Sequence, residues 1–135
     1  MTTGLMSGKR GLIMGLANDK SIAWGITKAL AEQGAEIALS YQGEALLKRV
    51  KPLAEKLGIE KYIECDVGKD DSIDAMFDTL KQDWDSIDFI VHAIGYSNKD
   101  ELKGAYLNTS RENFLLSMDI SVDSLTAVVK QAEDF

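Results

Sequence analysis

The sequence predicts an α/β protein with a doubly wound parallel sheet, and three observations support this fold class. Short apolar runs of the length of buried strands alternate with segments whose apolar residues recur at helical spacing. Their order, β-α-β-α-β-α-β-loop-α, favours a parallel sheet covered by helices on both faces. The apolar runs are also continuous, as strands buried on both faces require.

The first strand and the first helix organise the rest of the chain. Leu12, Ile13 and Met14 form the first apolar run, and Gly15 ends it. After a polar loop, the apolar residues return at helical spacing from Ser21 onwards. The sequence therefore predicts a strand, a glycine turn and a helix, the arrangement that holds a dinucleotide pyrophosphate in α/β proteins.

Three further strands are predicted, at residues 36–41, 61–67 and 87–94. Gly34 is expected to adopt the left-handed conformation that ends the first helix. Pro52 lies inside the second helical stripe, where it predicts a kink or a restart.

Two more helix starts are expected from capping residues. Asp70 or Asp71 is a candidate cap for the third helix. Thr109 and Glu112 have the spacing of a capping box, so a long last helix is expected to start there and to run to near Phe135.

Composition and charge restrict the possible functions. The formal net charge is -7, from 22 acidic and 15 basic side chains, which disfavours non-specific binding to nucleic acid or to an anionic membrane. Cys65 is the single cysteine, so no intrachain disulfide can form and a reducing compartment is expected. No apolar run approaches the roughly 20 residues of a membrane helix, and the N-terminus has no apolar signal core, so we expect a cytoplasmic protein.

Ligands of doubly wound sheets bind at the carboxyl ends of the strands. At the first strand end, Gly15 would let a phosphate approach the backbone, and Ser21 and Ile22 would offer it N–H groups and a hydroxyl. The spacing is longer than the usual G-x-G-x-x-G. An ordinary turn, with Ser21 as a helix cap, therefore remains an equally good interpretation.

The end of the second strand indicates which ribose the site would accept. Gln42 can form hydrogen bonds with a ribose without adding charge, and no lysine or arginine stands at this strand end. NADH is therefore favoured over NADPH, although Lys48 and Arg49 follow on the next helix. The alternative is that Gln42 is a solvated turn residue.

The third and fourth strand ends complete the candidate site. Asp66 could accept a hydrogen bond from an adenine amino group while Val67 packs on the ring, or Asp66 could be a turn residue. Ile94 lies at the depth expected for the nicotinamide ribose, and Gly95 would let a ligand lie against the backbone.

Other reactive or aromatic side chains are expected to be structural. His92 is the only histidine, so it cannot build a metal site or a histidine-based triad, and packing within its strand is the favoured interpretation. Cys65 is expected to be a small core residue. Trp24 and Trp84 are expected in a core or an interface.

With these residues in view, the chain resembles the N-terminal half of bacterial enoyl-acyl-carrier-protein reductases, a divergent branch of the short-chain dehydrogenase/reductase superfamily. The resemblance covers nearly the whole chain, and its most specific part is the long loop from Gly15 to Ser21, Ile22 and Ala23. The other matching stretches are 7–10, 24–25, 41–42, 65–67, 88–95 and 119–121.

The resemblance implies a Rossmann-type fold, with residues 1–135 as the N-terminal part of one NAD(P)-binding domain. It implies reduction of the trans-2 double bond of an enoyl-acyl carrier protein by NADH, in an enzyme that is usually a homotetramer. The implied cofactor contacts are Gly15, Ser21, Ile22, Gln42, Asp66, Val67 and Ile94, with Ile120 near the nicotinamide. Gly95, Tyr96 and Ser97 would begin the substrate pocket.

The chain departs from this family in one important respect. The family's catalytic tyrosine and lysine lie after this region, and no tyrosine here is followed by a lysine four residues later. We therefore expect a fragment that is inactive alone and that carries no catalytic residue. The missing strands predict that an edge pairs with another copy or that the C-terminal part is poorly ordered.

Two further classes remain open at this stage. One is another short-chain dehydrogenase/reductase or a non-catalytic nucleotide-binding module. Another is a methyltransferase, which Gln42 weakens because such enzymes usually carry an acidic residue at the second strand end.

Overall fold

In the computed structural model, which describes residues 4–135, four strands form one parallel sheet. They are β1 (Arg10–Met14), β2 (Glu36–Tyr41), β3 (Lys61–Glu64) and β4 (Phe89–His92). Their order in the sheet is β3-β2-β1-β4, so the chain crosses over β1 between β3 and β4. The carboxyl ends of β1 and β4 therefore border the point at which the strand order reverses.

Helices connect these strands and follow the last one. They are α1 (Ile22–Glu32), α2 (Glu44–Lys56), α3 (Asp70–Asp83), α4 (Arg111–Met118) and α5 (Ser124–Ala132). A π-helical turn, Asp119–Asp123, joins α4 to α5. Two short 3-10 turns, Lys99–Leu102 and Tyr106–Asn108, lie in the loop after β4. Within residues 4–135, no helix has the length and apolar character needed to cross a bilayer.

Two apolar cores cover the two faces of the sheet. Leu12 and Met14 of β1 belong to one core, together with Phe77 of α3 and Val128 of α5. Ile13 belongs to the other core, which includes residues of α1 and α2. Successive residues of β1 thus point to opposite, equally apolar faces, which explains the continuous apolar run and confirms the predicted doubly wound sheet.

The strand bounds are confirmed in part. β2 matches its predicted range, whereas β3 ends at Glu64 and β4 covers Phe89–His92 only, so both are shorter than predicted. Both are edge strands in the described sheet, and each pairs with one neighbour. The length of β4 is limited by that of β1, because its register runs from Gly11–Phe89 to Met14–His92.

The predicted helix starts and stops have mixed outcomes. Gly34 has the expected positive φ, 92°. The predicted restart at Pro52 is wrong, because α2 continues through that residue as one element. Neither Asp70 nor Asp71 caps α3: both lie in its first turn, after Lys69 at the cap position, where their charges still favour the positive end of the helix dipole.

The predicted capping box of the last helix is also wrong by one residue. Ser110 is the cap of α4, and its hydroxyl accepts a hydrogen bond from the Asn113 N–H at 3.0 Å. Glu101, rather than Glu112, completes the cap, because its carboxylate accepts from the N–H and the hydroxyl of Ser110 at 2.6 and 2.9 Å. The sequence spacing could not reveal this partner, since Glu101 lies on the preceding loop.

A network of hydrogen bonds ties the amino-terminal end of the sheet to α3. Glu36 accepts from Trp84 Nε1 at 2.8 Å and from Arg10 Nε at 3.0 Å. Partial burial alone would raise the pKa of Glu36, but the hydrogen bonds from Trp84 and Arg10 outweigh it, so this pKa lies below its usual 4.5. The lowered pKa means that the folded state favours the charged carboxylate.

We predict that Glu36→Gln reduces stability near neutral pH but not in acid. The glutamine oxygen can still accept from Trp84, whereas the charge that pairs with Arg10 is lost. Because the folded pKa is lowered, the carboxylate stabilises the fold above its unfolded pKa and loses this effect as the pH falls through the folded pKa. The half-exposed pair is expected to contribute about 0.5 kcal/mol. Urea unfolding at neutral and strongly acidic pH measures the difference, and an equal gap at both pH values would contradict the prediction.

Candidate functional site

An open cleft of about 160 Å³ lies at the carboxyl ends of the four strands. It is the meeting point of the loop after β1, the end of β2, the turn after β3 and the end of β4. Its lining residues are uncharged: Gly15, Leu16, Ala17, Ser40, Tyr41, Gln42, Leu46, Cys65, Val67, Ala93, Ile94, Gly95 and Ile120. We call this the strand-end cleft.

The turn after β1 requires glycine. Gly15 has a φ of 101°, which is unfavourable for residues with a side chain. A Cβ at this position would also overlap the carbonyl group of Ala93 at the end of β4. Gly15 therefore lets the loop after β1 pass directly beside the end of β4, at the point where the strand order reverses.

Ser21 stabilises the loop that leads from Gly15 into α1. Its hydroxyl oxygen accepts hydrogen bonds from the N–H groups of Ala17 and Asn18, both at 3.0 Å. Ser21 is the N-cap residue of α1, as the alternative interpretation expected, but its side chain makes no capping bond because its oxygen is turned towards the preceding loop. Two accepted bonds leave the hydroxyl proton available for a further acceptor.

Ile22, the first residue of α1, is 80% exposed. Neither Ser21 nor Ile22 borders the strand-end cleft directly. They lie at the N-terminus of α1, where the first N–H groups of a helix have no partner within the helix. Their contact with a phosphate stays a prediction.

The end of β2 contributes Tyr41 and Gln42 to the cleft. Burial raises the pKa of Tyr41, with a further contribution from the nearby carboxylate of Glu64, so its phenol stays neutral at physiological pH. Gln42 is exposed at the cleft margin. Lys48 and Arg49, further along α2, do not line the cleft.

After the end of β3, Asp66 and Val67 have different surroundings. Val67 lines the cleft, whereas the Asp66 carboxylate accepts a hydrogen bond from the Gly68 N–H at 2.9 Å and closes a turn. This is the turn geometry that the sequence left open as an alternative. One carboxylate oxygen remains for another donor, so an adenine contact by Asp66 stays a prediction.

Cys65 lies beside these residues and is buried, as expected for a core position. Burial is the main reason that its pKa is raised to about 11. The thiol is therefore protonated at physiological pH and is a poor nucleophile. Within residues 4–135, no cluster of histidine, cysteine or acidic side chains could hold a metal ion.

The chain after β4 brings Ile94 and Gly95 to the cleft, and Ile120 lines the same cleft from the π-helical turn. Ile120 lies next to Gly68, because a Cβ built at Gly68 would be 3.1 Å from Ile120 Cδ1. Ile120 thus borders the strand end predicted for adenine, and its closeness to a nicotinamide stays a prediction.

Tyr96 and Ser97 line a second, larger cleft of about 490 Å³ between the loop after β4 and α4. We call this the loop cleft. The two clefts adjoin, because neighbouring residues line one cleft each. Gly95 and Ile120 line the strand-end cleft, and Tyr96 and Ser121 line the loop cleft.

Asn113 connects this loop to α4, and sequence reasoning missed it. It is 5% exposed, its oxygen accepts from the Asn98 N–H at 2.8 Å, and its amide nitrogen donates to Ser97 Oγ at 3.1 Å. Neither bond follows a local spacing pattern. Leu46 of the cleft was also missed. It lies in the first helical turn of α2, directly after the end of β2, and an apolar residue at such a position could have been predicted to line the cleft.

A parallel sheet of this order, with a cleft at its carboxyl end, defines a Rossmann-type α/β protein. The model of a family described as enoyl-(acyl carrier protein) reductase matches residues 15–135. The chain belongs to this family, and the resemblance inferred from the sequence is confirmed.

Individual relatives agree with this assignment. Enoyl-[acyl-carrier-protein] reductase [NADH] 1 of Rhizobium meliloti is 61% identical over 131 residues, which are 97% of this chain and 48% of that protein. The crystal structure of the Anaplasma phagocytophilum reductase in complex with NAD has a TM-score of 0.93 and 54% identity, over 98% of this chain and 51% of that one.

A third relative was crystallised with a different cofactor. The Bacillus cereus reductase, in complex with NADP+ and an indole naphthyridinone, has a TM-score of 0.93 and 42% identity, over 96% of this chain and 51% of that one. The chain spans about half the length of the curated relatives it matches.

We predict that Gly15→Ala destabilises the fold much more than Gly58→Ala. Both glycines have positive φ, but a Cβ at Gly58 meets nothing within 4 Å, whereas one at Gly15 overlaps Ala93. Gly58→Ala should cost about 1 kcal/mol, the penalty of the left-handed conformation. Gly15→Ala should cost roughly 3 kcal/mol or more, because overlap adds to backbone strain. Urea unfolding compares the two, and equal losses would contradict a close contact at Gly15.

Proposed function

We propose that this chain provides the cofactor-binding region of an NADH-dependent enoyl-acyl-carrier-protein reductase. The reaction transfers a hydride from NADH to the β-carbon of a trans-2-enoyl chain on acyl carrier protein, and a proton completes the saturated acyl chain. Residues 1–135 would be the N-terminal part of one NAD(P)-binding domain. The main supporting observation is the uncharged cleft at four strand ends, with the glycine turn of β1 packed against the end of β4.

Within this proposal, the four strand ends bind successive parts of the cofactor. The pyrophosphate would lie at Gly15 and the N-terminus of α1, with Ser21 and Ile22 as donors. Gln42 would bind the adenosine ribose, and Asp66 and Val67 the adenine. Ile94 would lie at the nicotinamide ribose. Ile120 would close the cleft from the π-helical turn.

NADH is proposed as the cofactor in preference to NADPH. An extra phosphate on the ribose would need a cationic partner at the end of β2. Gln42 is neutral, and no basic side chain lines the strand-end cleft. The charge of the cleft is therefore the observation that favours NADH.

The enoyl substrate would enter from the loop cleft. The two clefts adjoin at Gly95, Tyr96 and Ser97. An enoyl chain held there would approach the nicotinamide part of the cofactor, which is proposed to lie at Ile94. Reduction also requires a donor that polarises the thioester oxygen. No tyrosine of this sequence is followed by a lysine four residues later, so we expect the chain alone to bind NADH without reducing an enoyl thioester.

We also propose that the protein is cytoplasmic and forms a homo-oligomer, a tetramer in the whole enzyme. The outer face of α4 and α5 is unusually apolar: Leu115, Met118, Val122, Leu125 and Val129 are between 42% and 60% exposed and recur every three or four residues. A second copy of the chain would cover Leu115, Leu125 and Val129 and would border the loop cleft at Met118 and Val122, which also line that cleft. Such a continuous apolar face is otherwise unfavourable in water.

The cofactor proposal is tested by calorimetric titration of the chain with NADH, NADPH and S-adenosylmethionine. We expect NADH to bind most tightly, and Gln42→Arg to raise the affinity for NADPH by about ten-fold through a charge-assisted bond to the extra phosphate. Gln131→Arg on α5 adds the same charge outside the cleft and serves as the matched control. Stabilisation by S-adenosylmethionine alone, or an equal gain in both variants, would contradict the proposal.

The oligomer proposal is tested by light scattering of two matched variants. Leu125→Glu places a charge in the centre of the apolar stripe and should shift the chain to a monomer. Leu107→Glu places the same charge on a 91% exposed loop residue outside the stripe and should leave the mass unchanged. A monomeric wild-type chain, or dissociation by both variants, would contradict this interface.

A further inference from the structure

Two serines attach the π-helical turn that carries Ile120 to β4 and to the loop that follows it. Ser121 Oγ accepts from the Tyr96 N–H at 2.9 Å and lies 3.2 Å from the Tyr96 carbonyl oxygen, to which it can donate. Ser124 Oγ donates to the Ile120 carbonyl at 2.6 Å and lies 2.7 Å from His92 Nε2. His92 of β4 is thus connected to the π-helical turn through the hydroxyl of Ser124.

The chemistry of these groups determines the direction of the bonds. A carbonyl oxygen can only accept, so the single proton of the Ser124 hydroxyl goes to Ile120. His92 Nε2 must then carry a proton and donate it to Ser124 Oγ. The bonds therefore run from His92 to Ser124 and from Ser124 to the Ile120 carbonyl, and they select the Nε2-protonated tautomer.

The surroundings make these bonds difficult to replace by solvent. Ser124 is 1% exposed, so water cannot readily replace its hydroxyl as the acceptor for His92 Nε2 if that hydroxyl is removed. The Ile120 side chain lies between the strand-end cleft and Gly68 at the end of β3. A shift of the turn would therefore move Ile120 relative to Val67, and the two residues border the same part of the cleft.

We infer that Ser124, oriented by His92, is a positioning residue for cofactor binding. It holds the π-helical turn so that Ile120 faces Val67 across the adenine side of the strand-end cleft. This inference rests on the proposed function, because it assigns a role in binding the cofactor named there. It also gives a role to His92, which is hydrogen-bonded to Ser124 although it borders neither cleft.

The test compares nucleotide affinities of Ser124→Ala, His92→Leu and His92→Gln. We expect Ser124→Ala to weaken the binding of NADH and AMP by a similar factor, roughly five- to ten-fold, which corresponds to the loss of about one buried hydrogen bond. In this inference Ile120 contacts the adenine half of the cofactor and not the nicotinamide that the family resemblance implies. Reduced nicotinamide mononucleotide, which lacks adenine, should therefore bind as it does to the wild-type chain. His92→Leu should show a smaller loss, and His92→Gln should restore affinity because its amide nitrogen can donate in place of Nε2.

A control variant separates positioning from stability. Val128→Ala removes buried packing one helical turn beyond Ser124, so it should lower the unfolding temperature without changing the affinity for AMP. Unchanged affinity in Ser124→Ala, an equal loss for reduced nicotinamide mononucleotide, or an equal loss in Val128→Ala would overturn the inference.

A second measurement needs no ligand. Amide hydrogen exchange of residues 119–123 should become faster in Ser124→Ala but not in Val128→Ala, because only the first change frees the turn. Unchanged exchange would overturn the inference even if nucleotides bind. A wild-type chain that binds neither NADH nor AMP would instead contradict the proposed function, while the exchange result would still decide the role of Ser124.

Discussion

The close approach of β1 and β4 is the constraint on which the rest of the structure depends. Two glycines of the β1 segment adapt it to this neighbour: Gly11 makes room for the Phe89 ring, and Gly15 lets the two backbones approach. Gly11 pairs with Phe89, and a Cβ there would overlap the phenylalanine ring, while a Cβ at Gly15 would overlap Ala93. The strands lie side by side at the reversal of strand order, and the cleft opens directly beyond them.

The lining of that cleft contrasts with the charge of the whole chain. The protein carries a net charge of -7, yet no ionisable side chain of the cleft is charged at neutral pH, since burial raises the pKa of both Tyr41 and Cys65. A bound pyrophosphate would therefore be recognised by oriented N–H groups and a helix dipole rather than by lysine or arginine. Such a site is compatible with an acidic protein because its donors act at short range.

The parts of the fold that local sequence determines were predictable, and those set by tertiary partners were not. Continuous apolar runs identified β1 and β2, and Gly15 with its loop located the first strand end, because burial and backbone conformation leave a direct trace in residue type. The lengths of β3 and β4 depend on their neighbours in the sheet. The cap by Glu101 and the clamp by Asn113 join segments distant in sequence, and no spacing rule records them.

The π-helical turn between α4 and α5 has a consequence for how this segment can evolve. Each residue of an α-helix rotates the chain by about 100°. A π-helical turn holds one residue more than an α-helical turn, so it absorbs that residue while α4 and α5 keep their faces. Losing one residue between Asp119 and Asp123 would therefore leave Val128 in the apolar core but would move the side chains of the turn, Ile120 among them, to other faces. A one-residue deletion in this turn should therefore be tolerated by the packing of α5 against α3 but not by the wall of the cleft at Ile120.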